Sequence, residues 1–211
     1  MSTLEALARP LAAAWHQTGR TELLAAVLAV AYLLLAIRQS ILCWLAAFVS
    51  SCLYAWVMAG AHLYMEAGLN VFYAAMAVYG FSQWRARGTR AELAVHRWPL
   101  RKHLTALLLV MALAAPCALL LHRYTAAASP FLDAMITWSS VFATWLVARK
   151  VYENWHWWLV IDSVSLCLYV TRRLYLTVLL FALYLVLIVV GLRAWRASLP
   201  PAAARAEAHA R

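Results

Sequence analysis

Acidic side chains are scarce: the 211 residues hold 8 Asp and Glu against 18 Lys and Arg. Charged residues of both signs make up only 12% of the chain, where an ordinary soluble domain carries about 25%. With 66% hydrophobic residues and a mean hydropathy of +0.75, a water-soluble domain is excluded. Glycine is sparse, 6 in all, and no Gly-rich phosphate loop is present. ATP hydrolysis through a phosphate loop is therefore not expected of the chain. Neither His-Glu-x-x-His nor Gly-x-Ser-x-Gly occurs. The four cysteines, Cys43, Cys52, Cys117 and Cys167, lie in or beside apolar windows at no recurring spacing, which excludes a disulfide framework and a CxxC metal centre. His16, His62, His96, His103, His122, His156 and His209 fall in loops or at window ends, where a solvated side chain is the simpler reading than a metal or haem ligand. No cofactor and no metal are expected.

What is there is membrane sequence. Uncharged windows recur at Leu23 to Ile37, Gln39 to Ala61, Ala67 to Trp84, Leu104 to Leu121, Ala134 to Ala148, Asn154 to Thr171 (interrupted by Asp162) and Leu174 to Leu192. Counting flanks, each approaches the roughly 20 residues that cross a bilayer. The two short ones are each preceded by an acid, Glu22 and Asp133, expected at the water interface. No cleavable signal peptide is evident, so the first span is read as retained. In a soluble protein a formal charge of +10 would suggest nucleic acid, but its placement gives a simpler account. With the N-terminus outside, 13 of the 18 cations fall in cytoplasmic segments, leaving Arg9, Arg20, Arg123, Arg172 and Arg173 outside. The positive-inside rule then predicts N-out and C-in, with no nucleic-acid partner.

An internal repeat predicts the architecture. A gapless shift of 111 residues superimposes Glu22 on Asp133, Arg38 on Arg149, Trp44 on Trp155, Leu63-Tyr64 on Leu174-Tyr175, Tyr73 on Tyr184, Gly80 on Gly191 and Trp84-Arg85-Ala86 on Trp195-Arg196-Ala197. The shift covers four crossings, an even number, so the two halves run the same way. The expected fold is an all-α integral membrane protein with seven transmembrane helices in a parallel 3+1+3 repeat. Its parts are an N-terminal lead-in at 1–20, a first three-helix repeat at 21–84, a basic cytoplasmic loop at 85–103, a connector helix at 104–122, a second three-helix repeat at 133–195 and a disordered tail at 196–211. Transporters with such repeats place their site near the midplane, between the halves.

The stretch Trp155 to Tyr169 supplies candidate binding chemistry. At 3.6 residues per turn, Trp155, Trp158 and Asp162 share one helical face, continued by Ser165 and Tyr169. An acid inside a bilayer is costly unless it faces a cavity or a partner, and is read by default as functional. Indole faces attract cations and planar rings. The bland alternative is an aromatic belt with Asp162 paired to a neighbouring helix. His156 and Trp157 lie off the stripe and are expected to be anchors. Asn70 and Tyr73, one turn apart, either face the same cavity or bond between helices. Asp162 has Ser51 as its shifted counterpart, so an asymmetric site is expected.

The pattern Glu153-x-Trp155-x-x-Trp158-x-x-x-Asp162, then Arg173-Leu174-Tyr175-Leu176-Thr177 and Gly191-x-x-x-Trp195, resembles the bacterial nicotinamide riboside transporter (Pnu) family. Tyr79-Gly80-x-x-x-Trp84 in the first half is similar to it as well, and the resemblance covers roughly Glu22 to Trp195. It implies a seven-helix, commonly trimeric inner-membrane protein that moves a vitamin precursor by facilitated diffusion, with a cytoplasmic kinase trapping the substrate. It also implies Trp155, Trp158 and Asp162 as substrate-binding residues, with Asn70, Tyr73, Thr177 and Tyr184 as further ones. Members of the family carry Asn or Asp at the Asp162 position, and relatives take thiamine, riboflavin or nucleosides. Nicotinamide riboside, a pyridinium cation bearing a ribose, is the leading expectation and thiamine the runner-up; the chain is expected not to be an enzyme. From other classes, a membrane enzyme or redox protein needs a second carboxylate or a His pair at the depth of Asp162, and the sequence offers neither. A receptor or scaffold leaves the buried acid unexplained.

Overall fold

Apolar windows bounded by charge become helices in the computed structural model, which describes residues 19–60, 62, 64–85, 93–125, 129–172 and 174–200. Among the described residues the helices are seven: α1 (Arg20–Ile37), α2 (Leu42–Gly60), α3 (Tyr64–Arg85), α4 (Leu100–Tyr124), α5 (Pro130–Ala148), α6 (Asn154–Thr171) and α7 (Tyr175–Ala197). By length and composition, α2, α4, α5 and α7 suffice to cross a membrane. The apolar part of α1, Leu23–Ile37, is shorter. Polar residues dilute α3 (Glu66, Asn70) and α6 (Asn154, Asp162). Most of the lead-in, residues 86–92 of the basic loop, Leu63, Arg173 and the tail from 201 onward lie outside the described residues.

Several windows extend beyond their uncharged limits because the flanking residues suit helix ends. Pro130 sits at the start of α5, where its missing N–H costs nothing, and Asp133 in the first turn meets the positive end of the helix dipole. Pro99 precedes α4, which takes in Arg101, Lys102 and His103 and so shortens the basic loop. Pro116 stays inside α4.

The turns after α1 and α5 are built alike. Ser40 N–H reaches the Leu35 carbonyl and Gln39 N–H reaches Ala36; 111 residues on, Val151 reaches Leu146 and Lys150 reaches Val147. This is the paired 6→1 and 5→2 bonding of a Schellman ending, with Gln39 (φ 54°) and Lys150 (φ 51°) left-handed. The next helices start alike too: Cys43 bonds Ser40 as Asn154 bonds Val151, and Trp44 bonds Ile41 as Trp155 bonds Tyr152.

Packing carries the correspondence across the bundle. Helix α1 packs on α2 and α2 on α3; α5 packs on α6 and α6 on α7; the circuit closes through α3 on α5 and α1 on α7. Trp44 lies against Gly80, and Trp155 against Gly191, so closely that a methyl group built on either glycine runs into the indole. Helix α4 lies outside this circuit: it packs mainly on α5 and reaches α6 through the His103–Trp157 contact. Its buried residues, Ala106, Val110, Ala114 and Ala118, form one i, i+4 stripe of small side chains, the usual means of close helix contact in lipid. The rest of its surface is leucine-rich and exposed.

A strap from the basic loop holds the α5–α6 turn. His96 N–H bonds the Lys150 carbonyl and Tyr152 N–H bonds the His96 carbonyl, at 3.2 and 2.8 Å. The Glu153 carboxylate accepts the Trp98 backbone N–H at 3.0 Å, with Arg97 and His103 4.0 and 3.8 Å away.

Candidate functional site

Helical periodicity brings the α6 stripe inward as a unit. Trp155, Asp162 and Ser165 are buried, and Trp158 and Tyr169 are half-buried. His156, off the stripe, is exposed. Trp157 points to the opposite side, where its indole N–H donates to His103 Nδ1 at 3.2 Å and its ring meets Phe142 edge-on at 4.9 Å. It fastens α6 to α4 and α5.

Asp162 is 5% exposed, and among the described residues no Lys, Arg or His forms an ion pair with it. Its neighbours are phenols. The carboxylate is within electrostatic reach of Tyr73 in α3, Tyr169 in α6 and Tyr184 in α7. Tyr73 and Tyr184 are equivalent positions under the 111-residue shift, and both lie within electrostatic reach of the acid. Unlike charges that pair with a cation, a carboxyl among hydroxyls is left with hydrogen-bonding capacity for a guest.

Other candidates stand further off. Asn70 is half-buried, and its amide donates to the Glu66 carbonyl of its own helix at 2.9 Å, which is neither of the two roles expected for it. Thr177 is half-buried in the first turn of α7. Trp155 is enclosed by Gly191 and by Trp195, whose ring meets it edge-on at 5.5 Å and 85°. Among the described residues its indole N–H has no hydrogen-bond acceptor, and neither has that of its equivalent Trp44. An unanswered buried donor costs about 1–3 kcal/mol, and a bound molecule with an acceptor removes that cost.

Residues that the sequence did not single out complete the surroundings. The Ser140 hydroxyl of α5 lies beside the Tyr73 phenol. Phe181 of α7 contacts both Tyr169 and Tyr184, at 4.9 and 5.4 Å. Tyr32 lies within reach of Tyr73, and Tyr54 within reach of Tyr184. The one signal for Ser140 was the Ser139-Ser140 pair in an uncharged window whose other polar residues are Thr137 and Thr144. At the far end of α6, Arg172 pairs with Asp133 at 3.5 Å, which ties α6 to α5. Among the described residues no three His, Cys, Asp or Glu side chains group as a metal site. The arrangement groups aromatic rings and hydroxyls around one acid.

Known proteins match this architecture. The chain is 28% identical over 176 residues to the riboflavin/roseoflavin transporter RibM of Streptomyces davaonensis, covering 80% of this chain and 81% of that protein. Its fold superimposes on a crystal structure of the vitamin B3 transporter PnuC with a TM-score of 0.70 at 23% identity, covering 93% of this chain and 92% of the other. The sequence profile of the nicotinamide mononucleotide transporter family spans residues 20–197. The chain belongs to that family and is a multi-pass membrane transporter.

Proposed function

We propose that the protein is a uniporter for nicotinamide riboside. The observation that carries this is Asp162: a buried acid with no cation partner among the described residues, within electrostatic reach of equivalent tyrosines from the two halves. A pyridinium ring supplies the missing positive charge, and ribose hydroxyls supply donors to the carboxylate in charge-assisted bonds about twice as strong as neutral ones. Trp158 offers an aromatic face to the ring, at about 0.5–2 kcal/mol. Trp155, its face covered by Gly191, offers its unpartnered N–H. Tyr73 and Tyr184 close the site from either half, with Asn70 and Thr177 at its edges. A phosphate on the sugar would meet Asp162 with no cation beside it, so the nucleoside fits better than the mononucleotide.

The arrangement is a parallel 3+1+3 repeat, supported by the matched turns, the matched Trp–Gly contacts and the position of α4 outside the helix circuit. The chain lies in the bacterial inner membrane with its N-terminus outside, assembles as a homotrimer, and performs no chemistry on its substrate, which a cytoplasmic kinase traps. The similarity to RibM favours a second reading, riboflavin, whose flat neutral ring and hydroxylated chain need aromatic and hydroxyl partners but no buried acid. Binding of nicotinamide riboside, thiamine, riboflavin and uridine to the purified protein separates the readings. Nicotinamide riboside binding most tightly is the expected result; preference for riboflavin or thiamine would replace it. Liposomes containing the protein should equilibrate labelled nicotinamide riboside and stop. Accumulation above the outside concentration under an imposed proton or sodium gradient would contradict uniport.

A further inference from the structure

At the end of the bundle that holds the two left-handed turns, side chains of each half grip the other. The indole N–H of Trp84 in α3 donates to the Ala148 carbonyl at the end of α5, at 3.1 Å. The indole N–H of Trp195 in α7 donates to the Ala36 carbonyl near the end of α1, at 3.0 Å. These two tryptophans are repeat equivalents, and their rings meet at 6.5 Å. Lys150 Nζ donates to Gln39 Oε1 at 3.3 Å and lies 4.7 Å from the Trp84 ring centre, while Gln39 Nε2 donates to the Ser198 hydroxyl at 3.0 Å. Gln39 and Lys150 are equivalents as well, so two pairs of matching residues touch each other.

The backbone under this assembly is informative. Gln39 and Lys150 occupy the left-handed position after a helix, where glycine is free of strain and other residues are not. Both positions nevertheless carry a long side chain, and both use it to reach the other half. Strain held at a place where the chain makes such contacts points to a function for the side chains.

We propose that this assembly is the gate on the Gln39/Lys150 side of the transporter, with Trp84 and Trp195 as its two latches. Each latch indole is buried, 6% and 0% exposed, and binds a carbonyl near a helix end of the opposite half. Water at the end of the bundle can take over carbonyls and indole N–H groups when the latches release. The same breakage in the middle of the membrane would leave polar groups without partners. Opening therefore belongs at this end, and it exposes a path toward Asp162. The proposal requires a transporter but not a particular substrate.

The native Cys43 reports on the gate. It is 0% exposed in the first turn of α2 and within electrostatic reach of Lys150, directly under the assembly. In a background with Cys52, Cys117 and Cys167 changed to Ala, a membrane-impermeant methanethiosulfonate is applied to each face of vesicles without substrate. The Trp84→Phe/Trp195→Phe pair should label Cys43 about fivefold faster or more from the Gln39/Lys150 face, since two buried hydrogen bonds are lost. Lys150→Gly relieves the left-handed strain, so it should also speed labelling while leaving the melting temperature unchanged or raised. Unchanged labelling in Lys150→Gly with a normal melting temperature overturns the gate. So does acceleration only from the opposite face, or a double variant that melts earlier yet labels at the background rate. Because no substrate is used, failure to bind nicotinamide riboside would sink the substrate assignment and leave this result standing.

Discussion

The first turns of α2 and α6 repeat each other in one tryptophan, in backbone bonds and in ring geometry, whereas the chemistry of their middles differs. Trp44 meets Trp84 edge-on at 5.4 Å and 85°, and Trp155 meets Trp195 at 5.5 Å and 85°. Further along, Ala47 stands where α6 has Trp158, Ser51 where it has Asp162, and Met58 where it has Tyr169. Packing uses both copies, since Trp44, Trp84, Trp155 and Trp195 enter one buried cluster. Binding an asymmetric small molecule needs one copy of each chemical group. A second acid at Ser51 would put two carboxylates near one site and repel.

The strongest way to break this comparison is at the sockets. Trp44→Ala and Trp155→Ala should each cost about 3–5 kcal/mol of stability through the cavity left behind. Gly80→Ala and Gly191→Ala should each cost about 1–3 kcal/mol by overpacking. Thermal melting in detergent reads both, and the members of each pair should match. A Trp155→Ala protein far less stable than Trp44→Ala would show that the halves are not mechanically equivalent. Ligand binding by the surviving protein isolates what the Trp155 N–H adds.

Next in size is the acid. Asp162→Asn keeps the shape and part of the hydrogen bonding but loses the charge, about 1–2 kcal/mol or roughly 5- to 30-fold in affinity. Asp162→Ala should lose more, while Ser51→Ala should stay within about twofold, as expected for loss of one small neutral hydroxyl. Affinity and melting temperature must come from the same preparations. Normal affinity in Asp162→Ala together with early melting would make Asp162 a structural residue and remove the site from α6.

What the sequence disclosed divides along the same line. The helices were legible because charge bounds apolar windows. The expectation of a repeat came from charges, glycines and Trp-Arg-Ala ends that recur at one spacing, and the matched turns and Trp–Gly contacts accord with it. The inward face of α6 and the outlying position of Trp157 followed from helical period alone. Periodicity cannot say what a face meets at each depth, so it grouped Trp155 with Trp158 although Gly191 covers one ring and leaves the other half-buried. Ser140 beside Tyr73 and Phe181 beside Tyr169 and Tyr184 come from two other helices, a long-range matter with no local pattern. The strap at His96 is made by backbone groups and has no side-chain signature.

The two neighbouring indoles on α6 give a smaller and sharper test. Trp158→Ala should lower affinity about tenfold, within the range of a desolvated cation–π contact, and cost less stability than Trp155→Ala because the ring is only half-buried. Isothermal titration with nicotinamide riboside measures it. Equal affinity for a neutral analogue in wild type and variant would show that the ring charge is what Trp158 recognises.

The smallest expected effect belongs to Trp157, next in sequence and on the opposite side of the helix. Trp157→Phe keeps a ring against Phe142 and removes only the N–H that bonds His103. One such hydrogen bond is worth about 0.5–1.5 kcal/mol, and here its loss falls on the contact of α6 with α4, not on the site. The melting temperature should drop by a few degrees and affinity should stay within about twofold. His103 also sits 3.8 Å from Glu153, so releasing it from the indole leaves it a second partner and limits the loss further. If Trp157→Phe weakened binding as much as Trp158→Ala does, the stripe would not be the binding face. Asp162, Trp158 and their counterparts Ser51 and Ala47 would then need a different explanation.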